Sequence, residues 1–403
     1  MRIRTFFSRN KTVFSLGMVA LMISSLGDLL AGATLGFMTN TLELLPGLMI
    51  LIPPAIGMRG NIFGALGSRL GTAMHMGTFE VSFRPRSILR QNMESSLILT
   101  LIMSLLMGIL AKLVAGIFGI QSISIQDFVF ISVLGGVLAG FILFAINVIL
   151  ARIGFERNWD VDNISAPLIT AAGDIITLPM LFLAAIIVLN VPILIVDIFF
   201  IILIIITLVL MILLFQRGQR EVKRVVQHSL PVLTLCVILD LIAGLTIDHK
   251  LESLVALPAL LVLIPPFLED ANALGGILTS RFSTLLHMGQ MEPVGIPGAV
   301  ARENFAIIYI FTFYVFILVG VSSYAVAWFM GLNSPPLWDM IILTLVAGLM
   351  TVTVLNLIAY YVAIVTYRLN LDPDDHSIPI TSSAVDMIGS FALIGTILIM
   401  GLG

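Results

Sequence analysis

The sequence predicts an all-α polytopic membrane protein of about eleven transmembrane helices, built as two parallel five-helix repeats plus one connecting helix around a pseudo-two-fold axis along the membrane normal. Three observations predict it. The chain of 403 residues is 59% hydrophobic and only 11% charged, with a mean hydropathy of +1.13, whereas soluble domains carry about 25% charged residues. Its apolar runs reach the roughly 20 residues that a bilayer core demands. Motifs recur at an offset of 212 residues: Asp28-Leu29 with Ala31-Gly32 returns as Asp240-Leu241 with Ala243-Gly244, and Ile52-Pro53-Pro54 as Ile264-Pro265-Pro266. Ser68-Arg69, His75-Met76-Gly77, Arg90 with Asn92, and Asp174 return as Ser280-Arg281, His287-Met288-Gly289, Arg302 with Asn304, and Asp386.

The expected spans are 12–38, 42–75, 94–119, 126–151, 164–189, 191–215, 229–248, 254–287, 305–331, 338–367 and 378–402. Arg2, Arg4, Arg9 and Lys11 precede the first run in the manner of a signal peptide. Its second copy lies mid-chain, so 12–38 reads as a retained helix. The Pro-Pro pairs predict a break or strong kink in the two overlong spans. The span at 191–215 has no counterpart in the repeat, and as an odd connector it turns the second unit parallel to the first. The organisation is therefore 1–190, a first repeat; 191–228, a connector helix and inner loop; and 229–403, a second repeat. No soluble domain is expected, and Cys236, the single cysteine, reads as a packing residue.

Lysines and arginines gather in alternate loops, which predicts a cytoplasmic N-terminus and an outer C-terminus in a cell membrane. Lys250 stands in an outer loop and Lys112 near an outer helix end. Nothing resembles a nucleic-acid footprint.

Charges inside a bilayer cost roughly 2.5–3.5 kcal/mol each on insertion scales and mark function. The helical rise places Asp174 and Asp386 about 15 Å deep, near the midplane, and Asp28 and Asp240 in the outer third. Paired carboxylates repel unless a cation or proton lies between them. An all-oxygen set favours a hard divalent cation, and magnesium fits a wide site that leaves it partly hydrated. Thr170 and Ser382, four residues before the central acids, share their face. Pro167 and Pro379, seven before, free carbonyls toward the path. Around the Pro-Pro spans, Asn61 and Asn272 are candidate path residues. The copies differ where Met58-Arg59 stands against Glu269-Asp270. Two readings are open: Arg59 forms a salt bridge with an acid across the pseudo-axis, the favoured one, or Glu269 and Asp270 make a cation site. Asn92 and Asn304 line the inner mouth or cap a helix. His75 and His287 read as helix-end residues. Asp160, Asp162 and Asn163, with Asp372, Asp374 and Asp375, suit helix N-termini or a cation-collecting vestibule.

The stretches from Pro53 to Thr72 and from Ser165 to Asp174, with their copies from Pro265 to Thr284 and Ser377 to Asp386, resemble the membrane domain of MgtE-type magnesium transporters, and more closely the duplicated form in solute carrier family 41. The resemblance implies magnesium as the transported ion, no organic cofactor, and Asp174 and Asp386 as the acids that hold hydrated magnesium. It implies divalent cations and the bilayer as partners. The cytosolic helical and CBS domains of MgtE are expected to have no counterpart in this protein. One chain supplies both five-span units, so a monomer could suffice. Two other classes remain: a proton-coupled solute transporter using the membrane aspartates, and an intramembrane aspartyl hydrolase. The second needs one acid pair with distinct roles, which duplicated pairs in like surroundings do not offer, so no enzymatic activity is expected.

Overall fold

The computed structural model describes residues 11–157, 161–371 and 376–402, without the side chains at 11–13, 15, 16, 157, 161–168 and 170. Among the described residues every regular element is helical, and eleven helices are long and apolar enough to cross a membrane. The first half contains α1 (Lys11–Phe37), a short α2 (Thr39–Leu44), a 3-10 turn (Leu48–Leu51), α3 (Ile52–His75), α4 (Ile88–Ile117), α5 (Ile125–Arg157) and α6 (Val161–Asn190). The connector is α7 (Ile193–Arg217). The second half contains α8 (Arg220–Asp248), a short α9 (Leu251–Ala256), α10 (Pro258–His287), α11 (Ala299–Phe329), α12 (Leu337–Arg368) and α13 (Ile378–Met400). Each expected span has its helix. The start of α8 at Arg220 shows that much of the inner loop expected before residue 229 continues the helix.

α7 buries only Val196, Leu203, Thr207 and Leu214. These sit seven, four and seven residues apart, a single helical stripe, and the helix lies against α4, α5 and α8. The rest of its surface is exposed isoleucine, leucine, valine and phenylalanine, as a lipid-facing tether requires. Trp328, Phe329 and Trp338 are exposed at the ends of α11 and α12 that face away from the basic loops, where aromatic rings suit a membrane interface.

The two halves interleave. α1 packs on α10 and α11 of the second half as well as on α6, while α8 packs on α3, α4 and the 3-10 turn of the first half as well as on α13. Two close approaches explain the recurring glycine and proline motifs. Pro54 has no N–H for the carbonyl of Ile50, and Pro266 has none for that of Val262. Gly244 of α8 lies against the Ile50 carbonyl, and Gly32 of α1 against the Val262 carbonyl. A side chain on either glycine would collide with backbone.

The expected breaks differ in place. In the first half the 3-10 turn ends at Leu51, and Pro53 and Pro54 stand in the first turn of α3, a position that proline suits. In the second half α10 runs on through Pro265 and Pro266, and the interruption comes earlier, at Leu257 before Pro258. Pro258 takes the helix-start position that Pro53 and Pro54 hold in the first copy.

Candidate functional site

Six carboxylates come together inside the helix assembly: Asp28 of α1, Asp174 of α6, Asp240 of α8, Glu269 and Asp270 of α10, and Asp386 of α13. Asp28, Asp240 and Asp270 are fully buried, and Asp174 and Asp386 nearly so. Glu269 lies deep among the helices yet keeps part of its surface accessible. Its charge acts on Asp28, Asp174, Asp240 and Asp386, so it lies within electrostatic reach of each of them.

The acids associate across the two expected depths. Asp386 faces Asp240, its strongest charged neighbour, and Asp28 faces Asp270. Asp386 Oδ1 accepts a hydrogen bond of 2.9 Å from Asn272 Nδ2. Gly57 of α3 makes the Asp240–Asp386 approach possible: a Cβ there would lie 3.1 Å from Asp240 Oδ2 and 3.6 Å from Asp386 Oδ2. At 212 residues further on, the counterpart of Gly57 is Glu269. Where one half leaves room, the other inserts a carboxylate beside Asp28 and Asp174. Neither Gly57 nor Ser383, which sits beside Asp240 without a well-formed hydrogen bond, drew notice in the sequence. The offset from Glu269 was the signal that could have found Gly57.

Arg59 corrects an expectation. Among the described residues it forms no salt bridge. Its Nη2 donates to Ser104 Oγ of α4 at 2.7 Å, and the guanidinium packs against Gly136 of α5, away from the acids. Its Nε and Nη1 are buried without partners among the described residues. The glycine at 136 clears the space that draws the side chain outward.

Asn61 and Asn272 also differ. Asn272 holds Asp386, whereas Asn61 Nδ2 is buried without a partner and borders a cavity of about 10 Å³ lined also by Arg69, Ser229, Leu233 and Pro379. Asn92 and Asn304 tie helices together: Arg69 Nε donates to Asn92 Oδ1 at 2.8 Å, and Arg281 Nε to Asn304 Oδ1 at 2.7 Å. The joint recurrence of Arg and Asn, 23 residues apart in each copy, was the sequence signal for these bridges. Ser382 is half-buried; its neighbour Thr381 instead accepts from Thr279 Oγ1 at 3.3 Å. The side chains of Thr170, Pro167, Asp162 and Asn163, and residues Asp160, Asp372, Asp374 and Asp375, lie outside the described residues. His287 ends α10, its Nδ1 2.8 Å from the Ser283 carbonyl and its ring edge-on to Tyr367. Lys112 Nζ donates to the Ser122 and Ile123 carbonyls and to Ser122 Oγ, fastening the loop beyond α4. Cys236 is a buried free cysteine.

Below the acids, α3 and α10 each carry a stripe of partly accessible small or polar residues. On α3 it comprises Gly57, Gly60, Asn61, Gly64, Ala65 and Ser68; on α10, Glu269, Ala273 and Gly276, with the exposed Ser280 beyond them. Their spacing of three and four residues puts each set on one helix face. Among the described residues, no three acids, histidines or cysteines converge on one point as a closed metal cage. Any ion held here meets one or two carboxylates at a time and completes its coordination with other oxygens.

A family model described as MgtE, divalent cation transporter, matches residues 52–184 and 264–396, one segment in each half. The chain belongs to the MgtE divalent cation transporter family. Two curated relatives carry the name solute carrier family 41 member 3. That of Rattus norvegicus is 24% identical over 406 residues, covering 93% of this chain and 84% of its own length. That of Mus musculus is 24% identical over 375 residues, covering 86% and 74%. No solved structure matches. This MgtE-family chain is thus a multi-pass membrane transporter of divalent cations, not an enzyme. Asp174, Glu269, Asp270 and Asp386 fall within the matched segments, while Asp28 and Asp240 fall outside them.

Proposed function

We propose that the protein carries magnesium across the membrane along the space bordered by α3, α6, α10 and α13, with the ion held partly hydrated by Asp174 and Asp386 and aided by Asp240 and Glu269. The observation that carries this reading is the gathering of carboxylates from five membrane-length helices within reach of Glu269, with no lysine or arginine side chain paired with them among the described residues. Two like charges about 4 Å apart repel by about 4 kcal/mol at an effective dielectric of 20. A divalent ion entering the group offsets that repulsion, and an ion leaving restores it. Magnesium sheds its water shell reluctantly and takes one or two carboxylates with retained waters, which suits an open arrangement with no closed cage. The glycine and serine stripes on α3 and α10 continue the route toward the inner ends of those helices, on the orientation expected from the basic loops.

The test is flux. Replacing Asp174 and Asp386 together by alanine is expected to abolish magnesium uptake into liposomes while the protein still elutes as a single folded species. Undiminished uptake by the double variant would refute the assignment. The same assay with and without a sodium gradient separates a channel from an exchanger.

A further inference from the structure

Glu269 and Asp270 have no acidic counterparts in the first half, where the corresponding turn reads Gly57-Met58-Arg59. The contact between α1 and α10 shows what the extra acids meet. Gly32 lies on the Val262 carbonyl and against Pro266. The helices cross antiparallel, so Asp28, one turn before Gly32, meets Asp270, one turn after Pro266. Both Asp270 and Glu269 act electrostatically on Asp28. Asp28 and Asp270 are both 0% exposed. Both Asp270 oxygens, Asp28 Oδ1 and Ser25 Oγ have no hydrogen-bond partner among the described residues. Asp28 Oδ2 has only a long contact of 3.5 Å from Ser24 Oγ. Ser25 sits beside Asp270. Arg59, in the corresponding turn of the first half, turns to Ser104.

Buried carboxylate oxygens without donors need a positive partner or a proton, and the Mn²⁺ count below separates the two. We propose that Ser25, Asp28 and Asp270 hold a second divalent cation, distinct from the one at Asp174 and Asp386. The inference rests on the proposed function for its ion class. Two carboxylates offset the charge of one divalent ion, and the set of carboxylates and a hydroxyl suits a hard cation. Glu269 acts on both Asp28 and Asp174, so its charge stands between the two stations and moderates the repulsion between their ions. The second station belongs to one half only, because its counterpart turn carries Arg59. Two of its three residues, Ser25 and Asp28, lie outside the family-matched segments.

The experiment is the stoichiometry of Mn²⁺ binding to the full chain in nanodiscs, read from the electron paramagnetic resonance signal of free Mn²⁺. The wild type is expected to bind two ions, and Asp270→Asn one. The Asp174→Asn/Asp386→Asn variant is expected to keep one, at the second station. A single ion bound by the wild type, or two still bound by Asp270→Asn, overturns the proposal. Should Asp270→Asn not fold, Asp28→Asn is the equivalent arm, with the same expected loss of one ion and the same refutation by retention of two. Two ions retained by the Asp174/Asp386 variant, with one lost in Asp270→Asn, would sink the central site and leave this station supported.

Discussion

Gly244→Ala probes the contact that sets the acids in place. A Cβ at 244 would lie 2.5 Å from the carbonyl oxygen of Ile50 and 2.9 Å from its C and Cα atoms. All three are backbone, so no change of rotamer relieves the clash. Carbon–oxygen contacts settle near 3.3 Å, so α8 and the 3-10 turn must part by roughly 0.8 Å. Overpacking of this kind costs about 1–3 kcal/mol, or about 5- to 150-fold in the ratio of folded to unfolded protein. Asp240 stands one turn before Gly244, against Gly57 and Asp386, so the same displacement opens the Asp240–Asp386 approach and lowers magnesium flux per folded molecule. The assay pairs denaturant unfolding in micelles with liposome uptake. Gly395→Ala on α13 is the control, because a Cβ there meets nothing within 4 Å; it should be neutral or slightly stabilising. If Gly244→Ala unfolds within about 0.5 kcal/mol of that control, the scale of ordinary surface changes, the close-approach argument fails.

Three further outcomes are expected. Asn272→Leu removes the donor to Asp386 and should weaken cation binding by about 1.5–3 kcal/mol, the worth of a hydrogen bond to a charged group; Asn61→Leu should do less, since the Asn61 Nδ2 has no partner among the described residues, and equal losses in Mg²⁺ titrations would contradict the asymmetry. Arg59→Met keeps an unbranched apolar stem while deleting all three guanidinium nitrogens, two of them buried without partners and one bonded to Ser104, so its melting temperature should match or exceed the wild type, with magnesium uptake intact; loss of uptake in a stable variant would assign Arg59 to the path. Arg281→Ala cuts the bridge to Asn304 and should lower unfolding stability by about 1 kcal/mol, which denaturant titration checks, with restoration by lysine incomplete because an ammonium lacks the planar fork.

Much of the fold was legible because a bilayer imposes one-dimensional rules. Span length and composition act along the chain, and the eleven membrane-length helices follow the spans expected from them closely. The acids were legible for the same reason, since a charge inside an apolar run stands out wherever it points. Partnerships were not. Asn272 and Asp386 lie 114 residues apart and meet only because α10 packs on α13. The direction of Arg59 depended on the space left by Gly136 on another helix, which no property of Arg59 itself encodes. The Pro-Pro pairs announced missing N–H groups correctly, but where the chain breaks depended on Pro258 in one half and on the 3-10 turn in the other.

By itself, then, the amino-acid order determined which segments enter the membrane, that they form a doubled set, and which carboxylates go in with them. Hydrophobic length and buried charge are properties of a segment and its solvent, so they need no neighbour to be read. The tertiary structure alone decided that α1 and α8 cross into the opposite halves, that Asp240 meets Asp386 over Gly57, and that Asp28 meets Asp270. Those pairings arise where glycines without side chains settle against carbonyls that prolines leave unbonded, a complementarity between distant surfaces that exists only once the helices have packed.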